Sequence, residues 1–537
     1  MGRMICELQR PGMTALHRVG LAGLSMTLDA LEHDPEARAT LHAAGLTWTR
    51  DERKVELELA DGKEQSAMDS LLKLAFQIDK QGFFKLPGLE RNTRMGLEQL
   101  ALLHQCLLGS FLQHGRTRST GSKANRVIEI GDKRLVLRDF APITGYSHRN
   151  AACSEKDKNG KSKASDLFDI QGRFKTSISI VGWLYPGGTQ RHVGFGESTL
   201  EEPVELALCL LFAPIGAIFF RLSSRRTGGK ARTALVLPTL ANLNLYARLR
   251  RYVVSNGAIE LTAASPTDAA LQVALMANAV QLGEELQTQI RVIAFGTVSW
   301  AKQQKSRTAA YAITPSHLSG LHNYELACRI FHNQWQTIKA KTDRKGNVKE
   351  PEQHFVRPFT AREIIADNVA GQRRWYAGFA DWMTNPGTRI SLQFERKELY
   401  QMTQEAHFDH PNERIFIAAC HEAWRRRLGQ IGDRARREGI AFSRLASGEY
   451  EKIRVALARC KNATSLRSVV TDFWSRAGSL PALQSGWNAI LPLLEESEWR
   501  KARDLALLAL ASYQPGNADE AQALAENTAT HEEGIEE

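Results

Sequence analysis

The amino-acid sequence predicts an α+β fold, in which a mixed α/β N-terminal part with antiparallel strands and hairpins is followed by an all-α helical bundle. Helical and strand signals are mixed up to about residue 375, whereas helical spacing dominates after residue 412. The chain has 537 residues and is 43% hydrophobic, and a single core stops growing at roughly 250 to 300 residues. We therefore predict an N-terminal part over 1–375, with a possible subdivision, a bundle over 376–515 and an acidic, disordered tail over 516–537.

Two apolar stretches of the N-terminal part predict buried helices. LHRVGLAGLSMTLDALE (16–32) places its leucines at helical spacing, and Gly20 and Gly23 indicate close packing against another element, not a phosphate loop. LALCLLFAPIGAIFF (206–220) has 15 uncharged residues, fewer than the ~20 that a membrane helix needs, and a proline and a glycine interrupt it. We expect a buried helix that leads into a buried strand there, and no membrane span.

Strand signals occur in several separate segments. KVELELADGK (54–63) alternates in period two, and RVIEIGDKRLVLRDF (126–140) predicts a hairpin that turns at its Gly-Asp pair. KTSISIVGWLYPGG (175–188) and QIRVIAFGTVSW (289–300) predict two further strands. A charged loop (340–354) follows, after which the strand signals stop.

The C-terminal part is predicted to be helical from Asn412 onward. Gly439 stands where a helix C-cap is expected, and short breaks at SGE (447–449), KNATS (461–465) and GSLP (478–481) predict antiparallel neighbours in a helical bundle. The first helix has an apolar stripe that consists of Ile417, Trp424, Leu428, Ile431 and Ala435.

The charge of the chain predicts a polyanionic partner. The net charge is +11, but residues 516–537 carry seven acids and no Lys or Arg, which leaves +18 on the rest. Such a charge attracts nucleic acid or anionic lipid, and we favour nucleic acid. The seven cysteines lie far apart without metal-ligand spacing, and the opening residues lack a signal-peptide pattern, so we expect a cytoplasmic protein without structural zinc or another cofactor.

Three polar, basic loops are candidate nucleic-acid contacts. They span 116–126, 154–165 and 223–232, and each combines Gly and Ser, which let the backbone approach a phosphate, with cations that neutralise it. A solvated loop is the alternative for each. Their candidate residues are Arg116, Arg118, Lys123, Lys156, Lys158, Lys161, Lys163, Arg225, Arg226, Lys230 and Arg232.

The helix that carries the apolar stripe is also rich in arginine. Residues 421–460 contain ten Lys/Arg and five Asp/Glu, a local excess of +5. We expect partial pairing, such as Glu422 with Arg426 and Asp433 with Arg437, at only about 0.3 to 0.5 kcal/mol a pair. The excess remains available to phosphates. The candidate residues here are Arg425, Arg426, Arg434, Arg436 and Arg437.

Catalytic patterns in the sequence are weak. GGKAR lacks the hydroxyl of a phosphate-binding loop, since Ala231 stands in its place, and HFDH (407–410) has no second cluster to complete a metal shell. Arg414 lies seven residues before His421, a spacing found in some helical-domain ribonucleases, so a metal-independent ribonuclease using these two residues stays open. A stand-alone DNA-binding accessory protein is a third possibility. Apart from that pair we predict no catalytic residues and no metal site.

Three segments carry a resemblance to a known family. LHRVGLAGLSMTL near the N-terminus, GWLYPGG (182–188) and FGTVSWAKQQKSR (295–307) together resemble the large subunit of type I CRISPR effector complexes (Cascade), closest to the subtype I-B-like branch. The resemblance covers most of the chain in order and size.

The resemblance implies a subunit without catalysis of its own. Such a subunit binds the guide RNA end, reads a protospacer-adjacent motif on target duplex DNA, aids strand opening and contacts the displaced strand. Its implied partners are the backbone and guide-end subunits and a recruited helicase-nuclease or transposition partner. The bundle resembles the small subunit of such complexes, and a separately made C-terminal fragment could start at Met383 or Met402.

Overall fold

The computed structural model divides the chain into two compact units. The first comprises Met1–His317 and Asn333–Arg357, and the second Leu318–His332 and Pro358–Glu537. Residues 318–332 and 358–375, which the sequence analysis assigned to the N-terminal part, thus lie in the second unit. The structure describes residues 2–91, 94–154, 156, 158–161, 163–185, 200–223, 231–280, 289–300, 303–314, 318–342, 348–350 and 352–514, so the predicted tail lies outside it.

The first unit contains both helices and strands. Its helices are α1 (Ala15–Glu32), α2 (Pro35–Ala43), α3 (Glu64–Ala75), α4 (Leu97–Gly109), α5 (Ser147–Asn150), α6 (Val204–Leu211), α7 (Ala213–Gly216), α8 (Leu243–Val254) and α9 (Pro266–Ala279). Its strands are β1 (Gly2–Glu7), β2 (Leu46–Arg50), β3 (Lys54–Leu59), β4 (Gln77–Ile78), β5 (Phe84–Lys85), β6 (Arg118–Thr120), β7 (Ala124–Ile130), β8 (Lys133–Phe140), β9 (Ile143–Tyr146), β10 (Ile178–Ser179), β11 (Glu201–Glu202), β12 (Ile218–Leu222), β13 (Ala231–Pro238), β14 (Thr262–Ala263), β15 (Ile290–Trp300), β16 (Gln303–Ile313), β17 (Gln334–Ile338), β18 (Lys341–Thr342), β19 (Val348–Glu350) and β20 (Gln353–Arg357).

The strands form small, mainly antiparallel sheets. The largest has five strands in the order β14-β12-β13-β15-β16, with one parallel pair, β12 and β14. A three-stranded sheet has the order β1-β3-β2, and β7 and β8 form the hairpin predicted around residues 131 and 132. Together with the helical second unit, this arrangement confirms the predicted α+β class.

Helix α1 lies at the centre of the core of the first unit and touches its neighbours through backbone atoms. A Cβ atom built on Gly20 would lie 1.9 Å from the carbonyl oxygen of Cys209, and one on Gly23 would lie 2.3 Å from that of Phe212. From the other side, a Cβ on Gly216 would lie 1.7 Å from the Val19 carbonyl oxygen. The predicted close packing at the glycines of α1 is confirmed, and the predicted helix-to-strand passage over 206–220 is also found, as α6, α7 and β12.

Three local predictions were wrong. Within 175–188 only Ile178–Ser179 is a strand, because the chain then turns and the carbonyl of Ile180 accepts hydrogen bonds from the N–H groups of Trp183, Leu184 and Tyr185. Residues 186–188 lie outside the described residues. The predicted loop at 340–354 contains strand residues, since β18 pairs with β19 and β20 begins at Gln353. The expected break at SGE (447–449) falls inside a continuous helix.

The described part of the second unit is helical. Its helices are α10 (Leu321–Ile330), α11 (Thr360–Ala370), α12 (Phe379–Thr384), α13 (Pro386–Phe394), α14 (Arg396–Glu405), α15 (Pro411–Glu438), α16 (Phe442–Ala458), α17 (Ala463–Ala477), α18 (Pro481–Ile490) and α19 (Trp499–Ser512). Helix α15 packs against α16, α17, α18 and α19, and its predicted apolar stripe is buried. Gly439 caps it in the left-handed conformation at φ 63°, as predicted. None of the described helices is both long and apolar enough to cross a membrane.

Candidate nucleic-acid interface

The first basic loop is partly ordered into a strand. Arg116 and Lys123 are exposed, whereas Arg118 is half-buried and its guanidinium donates a hydrogen bond to the carbonyl of Leu112. Burial lowers the pKa of Arg118. Arg116 and Lys123 are therefore accessible to a phosphate, while Arg118 is already engaged by the protein backbone.

The second basic loop is closed at its base and displays its lysines to solvent. The N–H groups of Asp166 and Leu167 both donate to the carbonyl of Ala151, at 3.1 and 3.3 Å, which brings the two ends of the loop together. Its four candidate residues, which are Lys156, Lys158, Lys161 and Lys163, are all exposed.

The strand pair of β6 and β9 connects the first two loops. Arg118 lies opposite Tyr146, and the second loop begins soon after Tyr146, on the far side of the short helix α5. At the end of the first loop, the guanidinium of Arg126 lies 4.6 Å from the ring centre of Phe83 and 5.2 Å from that of Phe140. The pairing of β6 with β9 thus brings the first loop close to the start of the second, while the two aromatic rings contact Arg126 of the first loop.

The third basic loop is described only at its two ends, at residue 223 and at residues 231 and 232. Arg225, Arg226 and Lys230 lie outside the described residues, and Arg232 is exposed on β13. Its strand belongs to the five-stranded sheet, where the register with β15 shifts between residues 231 and 233.

In the second unit, the acids between residues 421 and 460 each pair with an arginine. Arg426 pairs with Glu422 at 3.1 Å, as predicted, but Asp433 pairs with Arg436 at 2.7 Å instead of the predicted Arg437. The remaining three pairs are Arg427–Glu449, Arg434–Glu438 and Arg454–Glu451.

Five cations of this segment have no acidic partner among the described residues, and these left-over cations account for its +5 excess. None of them has a hydrogen bond or ion pair through its side chain to any residue that the structure describes. They are Arg425, Arg437, Arg444, Lys452 and Arg459. Arg425 and Arg437 are among the residues predicted from the sequence, whereas Arg444, Lys452 and Arg459 are not.

The exposed side of α15 presents its arginines at regular spacing. Arg425 and Arg436 are eleven residues apart, as are Arg426 and Arg437, so each pair shares one side of the helix at about 16 Å along the axis. The side chains of Arg436 and Arg434 are 81% and 57% exposed, although each is paired with an acid. Exposed pairs of this kind contribute little stability, so a phosphate can replace the carboxylate.

The two residues of the ribonuclease hypothesis have separate partners. The guanidinium of Arg414 donates to the carbonyl of Ala406 at 2.9 Å, whereas Nε2 of His421 lies 3.0 Å from the hydroxyl of Ser512. Burial lowers the pKa of His421 to about 4, so its imidazole is neutral at pH 7. This arrangement favours a packing role for both residues. Within the described ranges, no group of His, Cys, Asp and Glu is placed to hold a metal ion.

Comparisons with known proteins identify two family models and one protein that are similar to this chain. The family model of the DevT N-terminal domain matches residues 5–211, and that of the DevT C-terminal domain matches residues 404–536. The chain is also 29% identical over 542 residues to the CRISPR-associated protein Cas8a1/Csx13 of Myxococcus xanthus (strain DK1622), an alignment that covers 96% of this chain and 89% of the relative. The chain is a relative of a CRISPR-associated protein. The CRISPR association implied by the resemblance is confirmed, while the assignment to the subtype I-B-like branch is not.

Sequence reasoning also missed a cluster of four arginines in the first unit. Arg50, Arg91, Arg248 and Arg251 line one cavity although they come from three distant segments. The run ARLRR (247–251) on α8 was a signal for two of them, but nothing in the local sequence indicates that α8 and β2 line the same cavity.

Proposed function

We propose that this chain is the non-catalytic large subunit of an RNA-guided type I CRISPR surveillance complex. It binds the guide RNA end and the target duplex in the cytoplasm, reads the protospacer-adjacent motif, aids strand opening and recruits a helicase-nuclease or a transposition partner. The observation that carries the proposal is the similarity to Cas8a1/Csx13 over nearly the whole chain. The separation of Arg414 from His421 in their contacts supports the absence of catalysis.

The distribution of charge supports contact with nucleic acid at two places. The first unit presents exposed cations in the first and second loops, where the chain is polar enough to enter a groove. The second unit presents the exposed arginines of α15, which can contact phosphates but do not distinguish one base from another. We assign the loops to the duplex near the adjacent motif, and α15 to the phosphates of the displaced strand or the guide RNA. The sequence itself is read by base pairing with the guide.

The composition of the native complex tests the assembly. The tagged chain is purified from its host, the co-purifying RNA is sequenced and the bound proteins are identified by mass spectrometry. We expect short RNAs of repeat-spacer type together with backbone and guide-end subunits, and fragments that begin at Met383 or Met402 if the bundle is also made separately. Recovery of the chain alone and free of RNA would refute the proposal.

The contribution of α15 is tested by the salt dependence of DNA engagement. Arg425→Ala with Arg437→Ala removes two of the five left-over cations without breaking an ion pair between described residues. Each lost phosphate contact reduces the slope of log K against log salt by roughly 0.7 to 0.9, so the double variant should lose about 1.4 to 1.8, equally for all target sequences.

A charge-matched control separates a specific contact from a general loss of charge. Lys397→Ala with Arg467→Ala removes the same charge from α14 and α17, at two exposed positions without a side-chain partner in the described part of the chain. We expect its salt slope to match that of the native protein. Equal slopes for the two double variants would show that α15 is not the contact.

A further inference from the structure

A polar cavity of about 630 Å³ opens in the first unit between α1, β2 and α8. Four arginines line it together with two carboxylates and one indole ring. These residues are Arg50, Arg91, Arg248, Arg251, Asp29, Glu32 and Trp48. The cavity is separate from the basic loops, and the proposed function does not use it.

One buried carboxylate organises three of the arginines. The side chain of Asp29 is 5% exposed and accepts hydrogen bonds from Arg50 and from Arg251, the latter at 2.9 Å, while Arg91 lies 3.2 Å away. Arg251 also donates to the carbonyl of Met26 at 3.3 Å. Because these contacts fix the guanidiniums before a ligand arrives, little side-chain entropy remains to be lost on binding.

The charges of the cavity do not cancel. Glu32 approaches Arg50 at 3.4 Å, so two carboxylates face four arginines and leave an excess of two positive charges. Arg248 is exposed and its side chain has no hydrogen bond or ion pair to the described residues. A group with two negative charges, such as a phosphate monoester, would neutralise this excess through charge-assisted hydrogen bonds.

The remaining walls fit a planar, hydrogen-bonding group. Asn244, Arg248 and Arg251 stand at positions i, i+4 and i+7 of α8 and therefore share one face of the helix. The half-buried ring of Trp48 on β2 lines the same cavity. An aromatic ring beside an arginine cluster is the arrangement on which bases stack while their phosphates are held, and the Asn244 amide can both donate and accept at a base edge.

We propose that this cavity binds one phosphate-bearing nucleotide, with its phosphate on the arginines and its base against Trp48. A free nucleotide and a nucleotide at the end of or within an RNA strand share this chemistry. The assignment follows from the charge and shape of the cavity and does not rest on the proposed function.

The test uses the purified full chain, freed of nucleic acid in high salt, and calorimetry at low salt. The probes are AMP, adenosine, inorganic phosphate, and an eight-nucleotide RNA with or without a 5′-phosphate. We expect AMP to bind, adenosine not to bind, and inorganic phosphate to bind more weakly than AMP. Arg248→Glu should weaken AMP binding by about tenfold or more, because it replaces a charge-assisted donor with a repulsive carboxylate.

Three variants make the result specific. Arg38→Glu changes the charge by the same amount on the exposed side of α2, outside the cavity, and should change AMP affinity by less than about twofold. Arg248→Ala should weaken binding in the same direction but less than Arg248→Glu, and equal unfolding temperatures for both and the native chain show that the fold is kept. Arg425→Ala with Arg437→Ala should leave AMP binding unchanged, which separates this cavity from α15.

The RNA probes distinguish the two sources of the phosphate. Preference for the 5′-phosphorylated RNA and for AMP assigns the cavity to a phosphate monoester, while equal binding of both RNAs, lost in Arg248→Glu, assigns it to the backbone of a strand. No binding of AMP or RNA, equal affinity for AMP and inorganic phosphate, or unchanged affinity in Arg248→Glu would overturn the proposal.

Discussion

The substitution Gly20→Ala in α1 should destabilise the first unit, although alanine is the better helix former. In an exposed helix the change would gain about 1 kcal/mol. Here the new Cβ would lie 1.9 Å from the carbonyl oxygen of Cys209, and Cβ atoms do not approach other atoms within 3.0 Å, so the helices must separate by about 1 Å. Overpacking of this kind costs about 1 to 3 kcal/mol or more, and the obstacle is backbone that cannot rotate away. We expect a net loss of about 2 kcal/mol.

Two helical glycines in open space provide matched controls. Gly429 in α15 and Gly448 in α16 have no atom within 4 Å of a built Cβ, so alanine at either should raise the free energy of unfolding by about 0.5 to 1 kcal/mol. The assay is denaturant unfolding of the full chain, with hydrogen exchange and mass spectrometry reporting on the peptides of α1 and α15 separately. If Gly20→Ala gains stability as Gly429→Ala does, contact with the Cys209 carbonyl does not limit the packing of α1.

Three further predictions concern stability. His104 is buried, and its ring nitrogens have no hydrogen-bond partner among the described residues. Burial is the main cause that lowers the pKa of His104 from 6.5 to about 4, and two nearby arginines are a smaller cause. The unfolded chain therefore takes up a proton that the folded one refuses, so the free energy of unfolding should fall by about 3 kcal/mol as the pH drops from 6.5 to about 4, and His104→Phe should flatten this slope in pH-dependent denaturant titrations. Glu395 accepts the N–H groups of Thr360 and Ala361 at 2.7 Å each, so Glu395→Ala should cost about 1 to 3 kcal/mol and speed amide exchange at the start of α11, whereas unchanged exchange there would contradict the capping role. Gly439→Ala should cost about 1 kcal/mol in thermal unfolding because its φ is 63°, and Gly439→Asn less; a neutral alanine would mean that the helix end re-forms elsewhere.

Local sequence information was enough where an element is determined by its own residues. The stripe and cap of α15 and the turn between β7 and β8 could be predicted because spacing and glycine position specify them. The segment 175–188 could not, since its alternation resembles a strand while the actual turn depends on hydrogen bonds to one carbonyl, that of Ile180. The inclusion of 318–332 in the second unit also depends on contacts between residues distant in sequence.

The sequence was enough to predict the total charge of the candidate site, but not the positions and partners of its charged side chains. The sequence gives the number of arginines in a segment, whereas only the structure shows that Arg118 donates to a backbone carbonyl and that Arg50 and Arg251 share Asp29. The reason is that an arginine side chain reaches several ångströms from its own helix or strand, so its partner is set by tertiary packing.

The arginines of α15 differ in how easily each could exchange its acidic partner for a phosphate. Arg427 pairs with Glu449 of α16 at 2.6 Å, and both side chains are less than one-fifth exposed. This pair joins two helices, and breaking it would leave a partly buried carboxylate without its partner. Arg434 and Arg436 instead pair with acids on α15 itself, in exposed pairs that contribute only a few tenths of a kcal/mol. A phosphate that replaced those acids would sacrifice little stability while releasing counterions from the nucleic acid. More arginines of α15 could therefore contact phosphates than the unpaired ones alone. Their number is limited by pairing with α16 more than by the acids on α15 itself.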